Sequence, residues 1–274
     1  MVDIQFKYNP NNVPRLSNAE IERHAALFLQ DYKPEMLKSA LPLDVEDFAE
    51  SYLRLRFHYT NLSHNGFIWG RMVFNNTLIV VYDPKSNRAD EEPIEANTIV
   101  IDNSLLEDGS EVIFRSTVMH ECGHSVYHPE YYCIDYSALQ TTQLTDVKHL
   151  PYTSCKGADI LGDGVDLGKK RKLKTAQDWL EHQAKYFSAA TLMPKSSMRA
   201  LCKNPKLQTY CFEKHPDFEN DALVAVVAQK FNVSMASARI RVRQLKLGYI
   251  TERENPMSFY SSGQRRIPLD VQYS

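Results

Sequence analysis

Two histidines and a glutamate form the part of this sequence best suited to chemistry. They lie in the stretch His120-Glu-Cys-Gly-His124, which has the form H-E-x-x-H. On a helix, residues four apart differ by about 40° around the axis and one turn in height, so both imidazoles can bind one zinc ion. Glu121 lies about 100° further round, where a carboxylate can act as a general base toward the attacking water. The motif therefore predicts a zinc-dependent hydrolytic site.

A zinc site that catalyses a reaction needs a third protein ligand and an open position for water. Glu181 is the leading candidate because it lies on a second predicted helix, whose start is marked by the capping pattern Thr175-Ala-Gln-Asp178. Ala184 follows three residues later and is small enough to let this helix approach the first one closely. His182 is the alternative third ligand. The alternative to the whole site is a helix that merely carries two exposed histidines.

Other residues near these motifs have weaker claims to a role. Three tyrosines could each donate a hydrogen bond to the oxyanion of a tetrahedral intermediate, and the sequence does not choose among them. They are Tyr127, Tyr152 and Tyr186. Cys133 and Cys155 could bind a second metal together with His149, but no C-x-x-C pair supports such a site.

The two motifs together resemble the ImmA/IrrE-type metallo-endopeptidases. The matching segments are His120-Glu-Cys-Gly-His-Ser-Val-Tyr-His128 and the stretch from Asp178-Trp-Leu-Glu to Leu-Met-Pro194. Members of that family combine an H-E-x-x-H helix with a second helix that carries Glu-x-x-Ala, then Phe-Ala, and then Leu-Met-Pro. The resemblance covers about Ala19 to Ile250. Lys185 and Ser188 differ from the family pattern, and the interval between the motifs is longer than in most members.

The resemblance implies an α+β fold with a zincin-like metallopeptidase domain that holds a Zn²⁺ cofactor. Its zinc ligands would be His120, His124 and Glu181. Glu121 would be the catalytic base, and His128 matches a further family histidine that, like Tyr127, is a candidate to contact the ligands. The implied reaction is cleavage of a protein substrate, a helix-turn-helix repressor, which releases phage, mobile-element or stress genes.

The elements that position these residues are expected to be mostly helical. The strongest prediction is a helix over 111–127, because apolar residues recur there every four positions and form one buried stripe. The stripe consists of Phe114, Val118, Cys122 and Val126. Cys122 is therefore expected to be buried and not to bind metal. Helices are also predicted over 18–32, after a Ser17–Glu20 capping pattern, and over 41–53.

Three apolar, β-branched runs between residues 67 and 102 predict a small twisted sheet. The runs are Ile68–Phe74, Thr77–Tyr82 and Thr98–Ile101. The turn residues Asn75-Asn76 predict that the first two runs form a hairpin, and the tract Asp83–Glu95 is predicted to be a polar loop. By resemblance to other zincins, the strand Thr98–Asp102 is expected at a sheet edge beside the cleft, where an extended substrate could add as a further strand.

We predict two domains. Residues 1–200 would form the metallopeptidase domain, with an insert loop over 129–174 and the third-ligand helix over 175–193. Residues 201–274 would form a C-terminal helical module, in which the stretch 222–250 has a helix-turn-helix pattern. Because basic residues outnumber acidic ones over 221–253, a DNA-binding regulator with a stabilising zinc is the main rival function. An inactive peptidase homologue is a weaker rival.

The composition excludes several classes of protein. Lys and Arg number 32 against 34 Asp and Glu, so nothing draws the chain as a whole toward nucleic acid or anionic membrane. We therefore expect at most weak DNA binding and no membrane association. No secretory signal is recognisable in the first ten residues, and five cysteines form an odd set, which predicts a reducing cytoplasm and free thiols.

Overall fold

The computed structural model describes residues 2–133, 150–157, 160, 173–214 and 219–247. It is a mixed α and β structure. Its contacts divide the chain into two compact units, one formed by Met1–Tyr32 with Asp44–Thr191 and the other by Lys33–Leu43 with Leu192–Ser274. This division places the segment 33–43, which the sequence analysis assigned to the first domain, with the C-terminal unit. None of the described helices is both long and apolar enough to span a bilayer.

Most helices of the first unit begin and end close to their predicted positions, and the exception is a short helix over Pro129–Tyr132, in the predicted insert loop. They are α1 (Asn18–Tyr32), α2 (Val45–Asp47, continued by a π-helical turn over Phe48–Tyr52), α3 (Glu111–Tyr127), α4 (Pro129–Tyr132) and α5 (Ala176–Leu192). Both predicted capping boxes are confirmed: the Ser17 amide donates to Glu20, and the Thr175 amide donates to Asp178. These bonds satisfy backbone groups that a helix start otherwise leaves without partners.

A four-stranded sheet lies at the centre of this unit. The strands of the unit are β1 (Arg56–Thr60), β2 (Ile68–Val73), β3 (Thr77–Asp83), β4 (Arg88–Ile94), β5 (Thr98–Asp102) and β6 (Cys155–Lys156). The sheet has the order β1-β5-β2-β6, with β5 parallel to β1 and antiparallel to β2. The prediction that Thr98–Asp102 is an edge strand is therefore wrong. All five of its residues are buried, as is typical of a strand in the interior of a sheet.

The predicted hairpin is also wrong. Strand β2 pairs with β5 and β6, whereas β3 pairs with β4 in a separate two-stranded sheet. The tract expected to be a polar loop contains β4, whose residues are mostly exposed. Because β4 has little apolar surface to bury, its sequence lacks the alternation by which a half-buried strand is recognised. The β3–β4 hairpin packs on the four-stranded sheet through an apolar cluster that includes Val73, Ile79, Val81 and Val100.

The C-terminal unit is helical in the part that the structure describes. It contains a short 3-10 helix (Pro34–Leu37) and the helices α6 (Lys195–Cys202), α7 (Pro205–Lys214), α8 (Glu219–Phe231) and α9 (Met235–Gln244). The last two follow one another across a three-residue turn, in which Asn232 has a positive φ of 50° and Ser234 caps α9. Residues 248–250, which close the predicted helix-turn-helix pattern, lie outside the described residues.

Candidate metal centre

Helices α3 and α5 bring three metal-binding side chains to one point. The Nε2 atoms of His120 and His124 are 3.0 Å apart. Glu181 on α5 reaches both rings, with its Oε2 atom 3.2 Å from His120 Nε2 and its Oε1 atom 3.5 Å from His124 Nε2. Both histidines are fully buried, and 15% of the Glu181 side chain is exposed. The motif residues and the leading third candidate thus form one cluster.

The spacing of these atoms fits a metal ion. A tetrahedral ion with bonds of about 2.0–2.1 Å holds its ligand atoms about 3.3–3.4 Å from one another. The three contacts among His120, His124 and Glu181 span 3.0–3.5 Å. Two imidazole nitrogens and one carboxylate oxygen are also donors that divalent transition metals accept. This buried group could therefore hold a metal ion.

Small residues allow the two helices to approach closely. A Cβ atom on Gly123 of α3 would lie 2.9 Å from the Cα atom and 3.0 Å from the carbonyl oxygen of Ala184 on α5. Backbone atoms cannot yield as a flexible side chain can, so only glycine fits at position 123. The expected close approach at Ala184 is confirmed. It is this contact that brings Glu181 within reach of the histidines.

Glu121 faces the sheet on another side of α3 and is fully buried. Its Oε2 atom accepts a hydrogen bond of 2.7 Å from the hydroxyl of Thr153. Its Oε1 atom has no hydrogen-bond partner among the described residues. Burial raises the pKa of Glu121 to about 7, a shift that the Thr153 bond and nearby His120 oppose. A carboxyl group with such a pKa can both accept and return a proton near neutral pH.

Thr153 comes from the region that the sequence analysis treated as an insert loop. Its hydroxyl accepts from the amide of Met72 at 2.7 Å, and its own amide donates to the Met72 carbonyl at 3.0 Å. Strand β6 follows directly and pairs with β2. The described end of the insert therefore extends the sheet over Glu121. No motif in the sequence marks Thr153, so its role was missed.

Strand β2 must leave space for the glutamate. A Cβ atom on Gly70 would lie 2.7 Å from the methyl group of Thr117 and 3.3 Å from Glu121 Oε1. Cys155, opposite Gly70 in the sheet, is buried in a group with His120 and Glu121. The second metal site considered, and not favoured, for Cys133, His149 and Cys155 gains no support. His149 lies outside the described residues, and Cys133 belongs to no potential metal group among those described.

His128 lies directly behind His124, as expected of a residue that contacts a ligand. The Nδ1 atoms of the two rings are 2.9 Å apart. The Nε2 atom of His128 is 3.0 Å from Gln183 Oε1, and Gln183 Nε2 donates to the Pro14 carbonyl at 2.8 Å. Burial lowers the pKa of His128 to about 4 and that of His124 well below its ordinary value. Burial thus favours the neutral form of both rings.

The remaining candidates lie away from the cluster. His182, the alternative third ligand, directs its Nε2 atom to the Asn18 side chain at 2.9 Å. The three predicted tyrosines have other neighbours: Tyr127 contacts His24, Tyr186 donates to Glu22, and Tyr152 lies under the Arg71 guanidinium. A tyrosine that the sequence analysis did not consider lies closer to the site. Tyr132 donates to Gln177, which in turn donates to Glu181 Oε1 at 2.9 Å.

Comparison with known proteins does not assign this chain. No model of a known protein family matches it, and no curated protein sequence matches it either.

Proposed function

We propose that this protein is a zinc-dependent endopeptidase of the ImmA/IrrE type. The observation that carries the proposal is the cluster of His120, His124 and Glu181 beside a separate buried carboxyl group, Glu121. Three protein ligands leave a position open for water, which is the arrangement of a catalytic zinc site and not of a closed structural one. Zinc bound there would supply Lewis acidity toward the scissile carbonyl and make water a better nucleophile at neutral pH.

Glu121 supplies the proton transfers in this proposal. Its Oε2 atom is held by the Thr153 hydroxyl, so its Oε1 atom is the one that accepts the proton of the attacking water. The same oxygen then returns the proton to the leaving amine. Burial raises the pKa of Glu121 above that of an ordinary carboxyl group, which favours its uptake of the proton.

The family resemblance supplies the proposed substrate, a helix-turn-helix repressor in the cytoplasm. The test is a comparison of Glu121→Gln with the wild-type protein, using purified helix-turn-helix repressors as substrates and elemental analysis of both proteins. We expect the variant to keep its zinc and to lose cleavage. His182→Ala, which alters a partly buried ring outside the cluster, is the control and should retain both. Cleavage that survives in Glu121→Gln would contradict the proposed mechanism.

A DNA-binding regulator is the second candidate, favoured by the basic residues over 221–253. Two of these side chains have protein partners: Arg241 is fully buried and donates to the Met193 carbonyl, and Arg239 pairs with Asp221 at 2.7 Å. Buried or neutralised arginines attract phosphate less than free ones. We therefore propose only weak, salt-sensitive binding to duplex DNA. A specific duplex bound at nanomolar concentration in physiological salt would favour the regulator.

A further inference from the structure

The contact between the Nδ1 atoms of His124 and His128 raises a question of direction. The two atoms are 2.9 Å apart and both rings are fully buried, so a hydrogen atom must lie between them. The contact itself is symmetric, since either ring could donate. Which ring donates decides whether His124 can bind a metal through its Nε2 atom.

The contacts of Gln183 decide which of the two rings donates. Its side-chain nitrogen lies 2.8 Å from the Pro14 carbonyl oxygen, which can only accept. The flipped amide would place two oxygen atoms at that distance, so the Oε1 atom of Gln183 must be the one that faces His128. Because Oε1 also only accepts, the Nε2 atom of His128, 3.0 Å away, carries a hydrogen.

The remaining steps follow from the chemistry of neutral imidazole. A neutral ring with its hydrogen on Nε2 has a lone pair on Nδ1. His128 therefore accepts from the Nδ1–H group of His124, and the lone pair of His124 is then on Nε2. That nitrogen is the one 3.0 Å from His120 Nε2 and 3.5 Å from the Glu181 carboxylate.

We infer that Gln183 and His128 are positioning residues that hold His124 in its metal-binding tautomer. The Pro14 carbonyl fixes the orientation of the Gln183 amide and thereby the direction of the hydrogen bonds that follow. The N-terminal segment thereby becomes part of the metal site. Backbone bonds from Asn9 to the Val13 carbonyl and from Arg15 to the Lys7 carbonyl hold the turn that presents Pro14. By contrast, the Nδ1 atom of His120 is buried without a hydrogen-bond partner among the described residues.

The direct test is the tautomeric state of the metal-free wild-type protein. Two-bond ¹H–¹⁵N correlation spectra of histidine-labelled protein at pH 7.5 distinguish the two neutral tautomers and the imidazolium ion. We expect His128 to carry its hydrogen on Nε2 and His124 on Nδ1. The opposite pair of tautomers, or an imidazolium ion at either ring, would overturn the inference. This measurement needs no variant.

Variants then test whether the hydrogen bonds from Pro14 through Gln183 and His128 to His124 affect metal binding. Gln183→Met removes the acceptor, and we expect its Zn²⁺ affinity, measured by competition with a chelator, to fall about 10–100-fold. In Gln183→Glu, a buried and protonated carboxyl group would donate to the Pro14 carbonyl and still accept from His128, so this variant should retain the wild-type tautomers and recover most of that loss. Gln30→Met, on an exposed position of α1, is the matched control. Unchanged tautomers and affinity in Gln183→Met would overturn the inference.

The inference rests on the metal site within the proposed function but not on peptidase activity. A protein that shows these tautomers and binds Zn²⁺, yet cleaves no repressor, would contradict the endopeptidase and leave the inference standing. A protein that cleaves its substrate through Glu121, but has the opposite tautomers, would support the endopeptidase and overturn the inference.

Discussion

The two sides of helix α3 hold their functional groups in different ways. On the ligand side, His120 and His124 are one helical turn apart and meet Glu181 across a helix–helix contact. On the base side, Glu121 is held by Thr153, from a segment that joins the edge of the sheet. In the proposed function, metal binding and proton transfer would therefore depend on separate parts of the fold. Substitutions on one side should therefore leave the other side's function measurable.

The largest effect is expected on the ligand side. Glu181→Ala removes a proposed metal ligand, so zinc affinity should fall by more than the roughly 100-fold typical of losing an outer contact. His182→Ala should change it little, because that ring bonds to Asn18 instead. Chelator titration of both variants measures the difference. If His182→Ala loses more zinc than Glu181→Ala, the third ligand is wrongly assigned.

The next effect is expected on the base side, in the metal-free protein. The pKa of Glu121 is about 7 in the fold against an ordinary 4.5, so the folded protein binds more protons than the unfolded chain between these values. The contribution of Glu121 to wild-type stability should therefore decrease as pH rises through this window, by on the order of 3 kcal/mol. The Glu121→Gln side chain cannot ionise, so this contribution to the pH dependence of stability is absent from the variant.

Denaturant unfolding of the metal-free proteins at pH 5 and pH 8 checks this sign. The stability of Glu121→Gln relative to wild type should be greater at pH 8 than at pH 5. An advantage that is the same at both pH values would show that Glu121 does not titrate in this range.

A smaller effect is expected at the contact between the helices. Gly123→Ala places a methyl group 2.9 Å from the Ala184 backbone, so α5 must move away from α3. We expect a loss of about 1–3 kcal/mol in the free energy of unfolding, as is usual for overpacking, with a parallel loss of zinc affinity. Thermal unfolding with and without Zn²⁺ measures both. A variant with the stability and the zinc affinity of wild type would show that the packing of α3 against α5 does not depend on this contact.

The smallest effect is expected at Thr153. Thr153→Val keeps the shape of the side chain but leaves Glu121 Oε2 and the Met72 amide without their hydroxyl partner. We expect a loss of about 1–3 kcal/mol in stability, toward the lower value, and unchanged zinc affinity. Thr153→Ser retains the hydroxyl and is the control. A drop in zinc affinity for the valine variant alone would mean that the two sides are coupled.

The same contrast explains how much could be predicted from the sequence. Helix α3 and the pairing of His120 with His124 follow from a repeat of a few residues. The predicted single buried stripe is wrong, because the helix is buried on every side over 114–124 and Val126 is only partly buried. Both capping boxes, at Ser17 and Thr175, are equally local and were found. Strand β1 was not predicted, and β5, which pairs with it, was assigned to an edge by resemblance to other zincins.

The base side was not predicted because its contacts are not local. Strand order depends on which distant segments bury each other's surfaces, and a short sequence window does not contain that information. Thr153 has no spacing relative to Glu121 that a motif could describe. Even Gly70, whose absent side chain makes room for the glutamate, is one of ten glycines in the sequence.

The distance along the chain between paired residues also has a consequence for the order of folding. The Met72–Thr153 bond joins residues 81 positions apart, whereas His120 and His124 are four apart on one helix. Closing a long loop costs more chain entropy, and such pairings tend to form late. We expect the two histidines to be in place while the strand over Glu121 is still undocked. If the proposed function holds, a nascent chain would present two of its three metal ligands before Thr153 holds the proposed base, and it would cleave no other protein until folding is complete.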